Sequence, residues 1–344
     1  MEEHMGWWFP ALLAFLSLAG CGTHSRDRLA WEFLADISRP EANVAALESE
    51  TPVAWRLWST QSEIYPEEQY PDVLVPDSNG HYDRFRRLPC ELDSQSIWFG
   101  PSVAEQTAGV PSTCKAVFLN DPAAKYILGK GIYLRQTLAD AAAAAPGIHL
   151  PRMDPVAREI KTAWLPITPR DFGDYIVAFD KDNHAWGLVA LHLMTHEPAR
   201  WLWATWIHKK YLSLVPADIG PHDGFGTGAG GGTSVALRGL LESKNEPFLA
   251  NYRLIGTQED FKPTRLGNPL IEANLKCSSC MGCHQSAGLR KDGDWAVPDP
   301  CTTLGETPPL PGINPTDFDY SLATQAQCHH VGNCTNANLQ AGPQ

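Results

Sequence analysis

Cys280, Cys283 and His284 stand as C-x-x-C-H, with Met281 and Gly282 between the two thiols. Positions i, i+3 and i+4 of a helical turn share a face, so both sulfurs and the imidazole can meet one flat ligand. This is the attachment pattern of a c-type haem. The thiols add to the vinyl groups as thioethers, and His284 then reaches the iron as proximal ligand, a lever by which protein sets haem chemistry. Two other chemistries fit the same residues. A zinc site could use Cys277, Cys280, Cys283 and His284, with His329 and His330 as a distant pair, and the thiols could close as an ordinary disulfide.

The other end of the chain bears on that choice. Trp7 to Leu18 is an apolar run too short to span a bilayer. It ends in Leu18-Ala19-Gly20-Cys21, which resembles a bacterial lipobox, with Cys21 as the residue that is lipidated and becomes the new N-terminus. The segment Met1 to Gly6 departs from a standard signal: it holds two glutamates and no Lys or Arg. Haem attachment to C-x-x-C-H occurs outside the cytoplasm, so the export signal and the haem motif support each other. Gly22 after the cysteine points to the outer membrane, with the protein facing the bacterial periplasm or the cell surface.

The chain has nine cysteines. With Cys21 assigned to lipid and Cys280 and Cys283 to haem, Cys90, Cys114, Cys277, Cys301, Cys328 and Cys334 remain as disulfide candidates in an oxidising compartment. Cys90–Cys114 and Cys328–Cys334 are the pairs favoured by proximity in sequence. A net charge of −12 with no Lys/Arg run argues against nucleic-acid binding. The organisation expected is a signal peptide over 1–20, a polar tether over 21–30, a haem domain over 31–325 and a cysteine-bearing tail over 326–344.

The elements that must position the motif read as α+β: N-terminal helices, a central antiparallel sheet and a late haem-binding helix, unlike a class I cytochrome c. Helix is expected over 31–65 and over 123–145, the second ended by Pro146-Gly147. Loop is expected over 66–100. Alternation predicts strands at 159–164, 187–195 and 201–208. The glycine-rich 223–234 lacks the G-K-[ST] ending of a phosphate loop and reads as a flexible connection. The proline-rich 297–315 suits an extended wrap.

A class I cytochrome supplies a distal methionine after its motif; here no methionine follows Met281. The distal ligand must therefore come from upstream, or the iron lacks a strong sixth ligand. In Leu191-His192-Leu193-Met194-Thr195-His196, strand alternation puts His192, Met194 and His196 on one face. If 188–195 and 201–208 pair as a hairpin about 197–200, His192 and His208 can face the same side. His192 is the leading candidate, followed by His208, then Met194 and His196; His329 and His330 are weaker. Trp201, Trp203 and Trp206 could shield a haem edge, and core packing explains them equally well.

Several strings resemble an uncharacterised family of large bacterial single-haem cytochromes c. Phe118-Leu119-Asn120, Tyr126-Ile127 and Gly131-Ile132-Tyr133 have the cadence of a helix in that family. Glu159-Ile160-Lys161-Thr162-Ala163-Trp164 is similar to its E-[VI]-K-x-[AS]-W strand, and Gly187 to Leu193 to its G-L-V-G-L-H-[IL] string. Trp201 to His208 matches its W-[IV]-W-[AS]-T-F-E-[HQ] string loosely. Ser279 to His284 fits its S-C-M-G-C-H site, and Asp317 to Leu322 resembles its closing segment. The resemblance implies one covalent haem c and an extracytoplasmic address, and it marks His192, whereas the equivalent of His208 can be glutamine. It carries no established reaction. Ile207, the insert 223–234, Cys277 and the tail from Cys328 depart from the pattern.

The function expected is electron transfer with envelope redox proteins, the membrane being reached through the N-terminal lipid only. A haem-dependent oxidoreductase or peroxidase-like enzyme is the alternative, with His192 or His196 as distal acid/base; a haem-based ligand sensor is another. Competing catalytic motifs are absent: His196-Glu197 does not continue into H-E-x-x-H, and no G-x-S-x-G occurs.

Overall fold

Runs of alternating side chains build the centre of the molecule. The computed structural model describes residues 21–40, 49–65, 87–88, 113–144, 148–151, 156–196, 201–259, 265–271, 279–280, 284, 287–290 and 313–315. Its helices are α1 (Cys21–Ile37), α2 (Gln61–Ile64), α3 (Asp121–Lys130), α4 (Arg135–Ala143) and α5 (Val235–Lys244). A seven-stranded sheet has β1 (Ser59–Thr60), β2 (Cys114–Leu119), β3 (Arg158–Pro166), β5 (Ala185–Thr195), β6 (Leu202–His208) and β7 (Tyr252–Gln258) in that spatial order, with β4 (Val177–Phe179) beside β5. Every pairing in it is antiparallel. A second, two-stranded sheet pairs β8 (Gly288–Arg290) with β9 (Ile313–Pro315). The chain is therefore α+β, with helices at its start and an antiparallel sheet at its centre.

Side chains alternate across a strand with period two, and that divides the residues between two faces. Phe118, Ile160, Leu191, Leu193, Trp206 and Leu254 join one cluster with Trp31 and Leu34 of α1 and Leu237 and Leu241 of α5. Trp31 meets Trp206 edge-on, with ring centroids 5.8 Å apart. The opposite face carries two smaller clusters instead of one. Leu119, Met194 and Trp203 pack with α3, α4 and Leu289 at one end. Ala163, Ala190, Ile207 and Ile255 pack with Leu266, Leu270 and Ile271 at the other.

Residues 21–30, expected as a polar tether, belong to α1. Asp27, Trp31 and Leu34 fall on one stripe of that helix, at the spacing of a buried face. Asp27 accepts hydrogen bonds from the Gly224 amide at 2.8 Å and the Thr257 hydroxyl at 2.9 Å. Trp31 donates to Asp223 at 3.0 Å. Asp223 also accepts from the Phe225 and Gly226 amides. A side chain on Gly226 would collide with the Asp223 carboxylate and the Trp31 indole nitrogen. The start of the glycine-rich segment is thus a fitted connection between α1 and α5, where a flexible one was expected.

Three helical expectations change. The first helix in 31–65, where one helix was expected throughout, ends at Ile37, with Pro40 and Pro52 in the chain beyond it; among the described residues up to 65, a turn at Ala54–Leu57 and the short α2 follow. The helix expected over 123–145 is two, since Gly131 at φ 64° closes α3 in the left-handed conformation that suits glycine. Phe118 and Leu119 lie in β2, paired to β3, and the following Asn120 caps α3 by accepting from the Ala123 amide at 3.2 Å. Its amide group donates to Val156 O at 2.8 Å, tying the helix start to the chain entering β3. The late helix is described only at Cys280 and His284, both helical in backbone. Outside the described residues lie 1–20, 317–344, all of 66–100 except 87–88, and all of 297–315 except 313–315. Among the described residues, no helix is long and apolar enough to cross a membrane.

One buried group predicts a pH dependence of stability. Glu246, just after α5, is 0 % exposed, and neither of its carboxylate oxygens has a hydrogen-bond partner among the described residues. Burial pushes its carboxyl up to about 8, against a smaller opposing pull from Arg39. The folded state therefore holds a proton that the unfolded chain releases near the ordinary glutamate value of about 4.3. Stability falls as pH rises between those two values, and the penalty is complete above pH 8. Glu246→Gln should match the wild type near pH 4 and exceed it by a few kcal/mol (order of magnitude) at pH 8.5 in urea melts. A pH-independent difference would exclude ionisation of Glu246 as the cause.

Candidate functional site

The site forms on the face with the divided cover. Cross-strand registers place Val117, Lys161, His192, Thr205 and Gly256 in one row across β2, β3, β5, β6 and β7. The row beside it runs Leu119, Glu159, Met194, Trp203, Gln258. The row on the other side is Lys115, Ala163, Ala190, Ile207, Arg253. The two flanking rows contribute to the two separate apolar clusters, and the middle row lies between them. From Trp186 to Thr195 every residue is buried except His192. Val117 and Lys161, next along the row, are also partly exposed. His192 is therefore the accessible side chain of an otherwise closed central strand.

The C-x-x-C-H segment reaches this row. Cys280 is half-buried and packs against both apolar clusters, so it straddles the space above the middle row. Its sulfur lies 4.0 Å from Leu266 O. Ser279 is buried and bonded to Gln258, which donates from Nε2 to the Ser279 hydroxyl at 3.1 Å. That contact fixes the start of the motif at the end of β7. Asn268 holds the covering loop by donating to Thr205 Oγ1 at 3.0 Å and Trp206 O at 2.8 Å. His284 is half-buried with its ring 5.6 Å from that of Trp203. Met281, Gly282 and Cys283 lie outside the described residues.

The structure sorts the remaining ligand candidates. Met194 shares the face of His192 but is buried among Trp201, Trp203 and Leu289. His196 is buried with its ring on Trp201, centroids 3.4 Å apart. The expected hairpin exists, with β5 paired to β6, but its register sets Thr205 opposite His192. Cross-strand partners share a face. His208 therefore falls with Trp206 and Ala204 on the other parity, and neither His208 nor Trp206 joins His192. His208 is 0 % exposed and lies between Tyr175, stacked at 4.2 Å, and Tyr252, edge-on at 5.3 Å. Its Nε2 is 2.9 Å from Asp174 O and its Nδ1 accepts from the Lys210 amide at 3.3 Å, so both ring nitrogens are engaged. Trp201 and Trp203 line the motif side, whereas Trp206 packs on α1.

Cys114 is disulfide-bonded. Cys90, Cys277, Cys301, Cys328, Cys334, His329 and His330 lie outside the described residues. Cys21 begins α1. Among the described residues one other cluster has a ligand-like composition, Asp180, Asp182 and His184. Its central carboxylate already accepts from the Asp182 and His184 amides and from the Trp186 indole, the pattern of a turn between β4 and β5.

The donor types present are those a c-type haem uses. A thiol borders two apolar clusters, two accessible imidazoles occupy the same side of the sheet, and tryptophan forms a wall. Sequence reasoning missed the row itself, including Lys161 and Thr205, because only strand register reveals it. No protein-family model, curated protein or solved structure matches the chain.

His208 also predicts an acid limb of stability. Burial, partly opposed by the hydrogen bond to Asp174 O, lowers its pKa to about 4. The neutral ring donates to that carbonyl and accepts from the Lys210 amide; a second proton would face an N–H. The unfolded chain takes up a proton near pH 6.5, so stability is complete above that value and is lost as pH falls toward 4. His208→Gln should flatten this limb, removing on the order of 3 kcal/mol of pH-dependent change. Denaturant melts from pH 7.5 to 4 check it; an unchanged slope would assign the acid limb to other groups.

Proposed function

We propose that this chain carries one covalent haem c and transfers electrons at the bacterial cell envelope, as a member of the large single-haem cytochrome c family that its strings resemble. The observation that carries the reading is the C-x-x-C-H sequence with Cys280 seated over the row that contains His192. Cys280 and Cys283 would hold the haem by thioether bonds, His284 would be its proximal ligand and His192 its distal ligand. When bound, that group supplies one-electron chemistry at its iron.

The protein's own residues orient and shield. Trp203 stands beside His284 and would limit water at that edge, with Trp201 behind it. The apolar clusters on both sides lower the local dielectric, which makes nearby charges count for more. Gln258 and Asn268 hold the covering segments against the sheet through buried hydrogen bonds.

Export and lipidation at Cys21 complete the proposal. Between Cys21 and the buried Asp27, α1 spans about 9 Å at 1.5 Å per residue. A lipid on Cys21 would hold the folded body close to the membrane without a long tether.

Intact mass of the processed protein after acid–acetone extraction should show one retained haem, and peptide mapping should show a lipidated N-terminal Cys21. Complete loss of haem, or stoichiometric zinc in its place, would refute the cofactor assignment.

A second experiment reads the sixth position. Imidazole on both sides gives low-spin iron, and His192→Ala should convert it to a high-spin or weakly ligated spectrum. His208→Ala should leave the spectrum largely intact. Reversed outcomes would move the distal role to His208. High-spin iron in the wild type would replace the carrier reading with the haem enzyme or sensor.

A further inference from the structure

Lys161 is the cation that the fold places directly beside His192. The two are cross-strand partners, one on β3 and the other on β5, and share a face with side-chain origins about 5 Å apart. Lys161 is partly exposed in the middle row, with Val117 as its neighbour on β2. Its ammonium has no ion pair or hydrogen bond among the described residues. Glu159, two positions earlier on the same face, is not bridged to it. Lys115, on the same face in the row beyond, is engaged elsewhere. A partly buried cation with no carboxylate partner among the described residues suits an anionic ligand.

We propose that Lys161 is the counter-charge for the propionate carboxylates of the haem, and thereby a positioning residue that raises the haem potential. The proposal rests on the cofactor reading above. Positive charge beside the macrocycle favours the reduced iron, which carries one unit less charge; net charge near a redox centre is one of the terms that set its potential.

The test is spectroelectrochemical titration of the purified haem-loaded protein, comparing wild type, Lys161→Gln, Lys161→Arg and the surface control Lys125→Gln. Lys125 lies on α3, exposed and paired with Asp121. Lys161→Gln should keep the wild-type axial-ligand spectrum and shift the midpoint potential downward. Lys161→Arg and Lys125→Gln should stay close to the wild type. If Lys161→Gln loses haem while Lys161→Arg retains it, the need for charge is equally supported. An unchanged potential in Lys161→Gln overturns the proposal, and so does failure of both Lys161 variants to take up haem, which marks a role in folding alone. Absence of covalent haem from the wild type is a different result, visible by mass, and refutes the cofactor reading on which the proposal stands.

Discussion

The register of β5 between β3 and β6 is the constraint on which the rest depends. Because a strand alternates with period two, a slip of one residue would move His192 and Met194 to the α1 side and bring Leu191 and Leu193 out. The fixed register is enforced from the other face. Leu191 and Leu193 are packed with Ile160, Trp206 and the helical side chains Trp31 and Leu34, all fully buried. Two irregularities, one where Ala163 and Trp164 of β3 pair with β5 and one where Thr205 and Trp206 of β6 pair with β7, shift the pairing while Trp164 and Trp206 stay in the packed cluster. The position of the candidate ligand is thus a consequence of hydrophobic packing on the opposite face of the sheet.

The two faces solve different problems. One is a continuous apolar core, capped by α1 and α5, and it supplies most of the large buried side chains. The other is divided into two smaller clusters, leaving a row that contains Lys161, His192 and Thr205. Its covering segments are held by individual buried polar bonds, Gln258 to Ser279 and Asn268 to Thr205 and Trp206. Such bonds are net modest when made and expensive when broken in a buried setting, so they fix orientation more than they add stability. One face is thus closed by continuous packing, and the other carries a cover pinned at a few polar contacts.

α1 connects these features to the start of the chain. Asp27 and Trp31 bind it to β7 and to the Asp223–Gly226 turn, close to Gln258, which holds the motif's first serine. The same end of β7 therefore carries both the first turns of the described chain and the entry to the C-x-x-C-H segment. Arg26 adds an ion pair with Glu259, the residue after Gln258.

The sequence by itself determined the chemistry on offer and the strands that carry it. C-x-x-C-H is a local pattern whose meaning needs only helical spacing, and β3, β5 and β6 show their alternation or apolar character directly. It was less informative wherever a residue's role depends on a partner distant in sequence. Phe118 and Leu119 sit just before a helix and read as helical, yet they are strand because β3 offers them hydrogen bonds and packing. Asp27 looks like a solvated acid in a tether until Gly224 and Thr257 are beside it. Trp203 and Trp206 are alike in type and three residues apart, but they face opposite sides of the sheet and serve different packings. His192 and His208 were both admissible ligands by alternation within each strand. Only the tertiary structure decided between their faces, because the relative register of two strands is set by the packing of the whole sheet and cannot be read from the period of either strand alone.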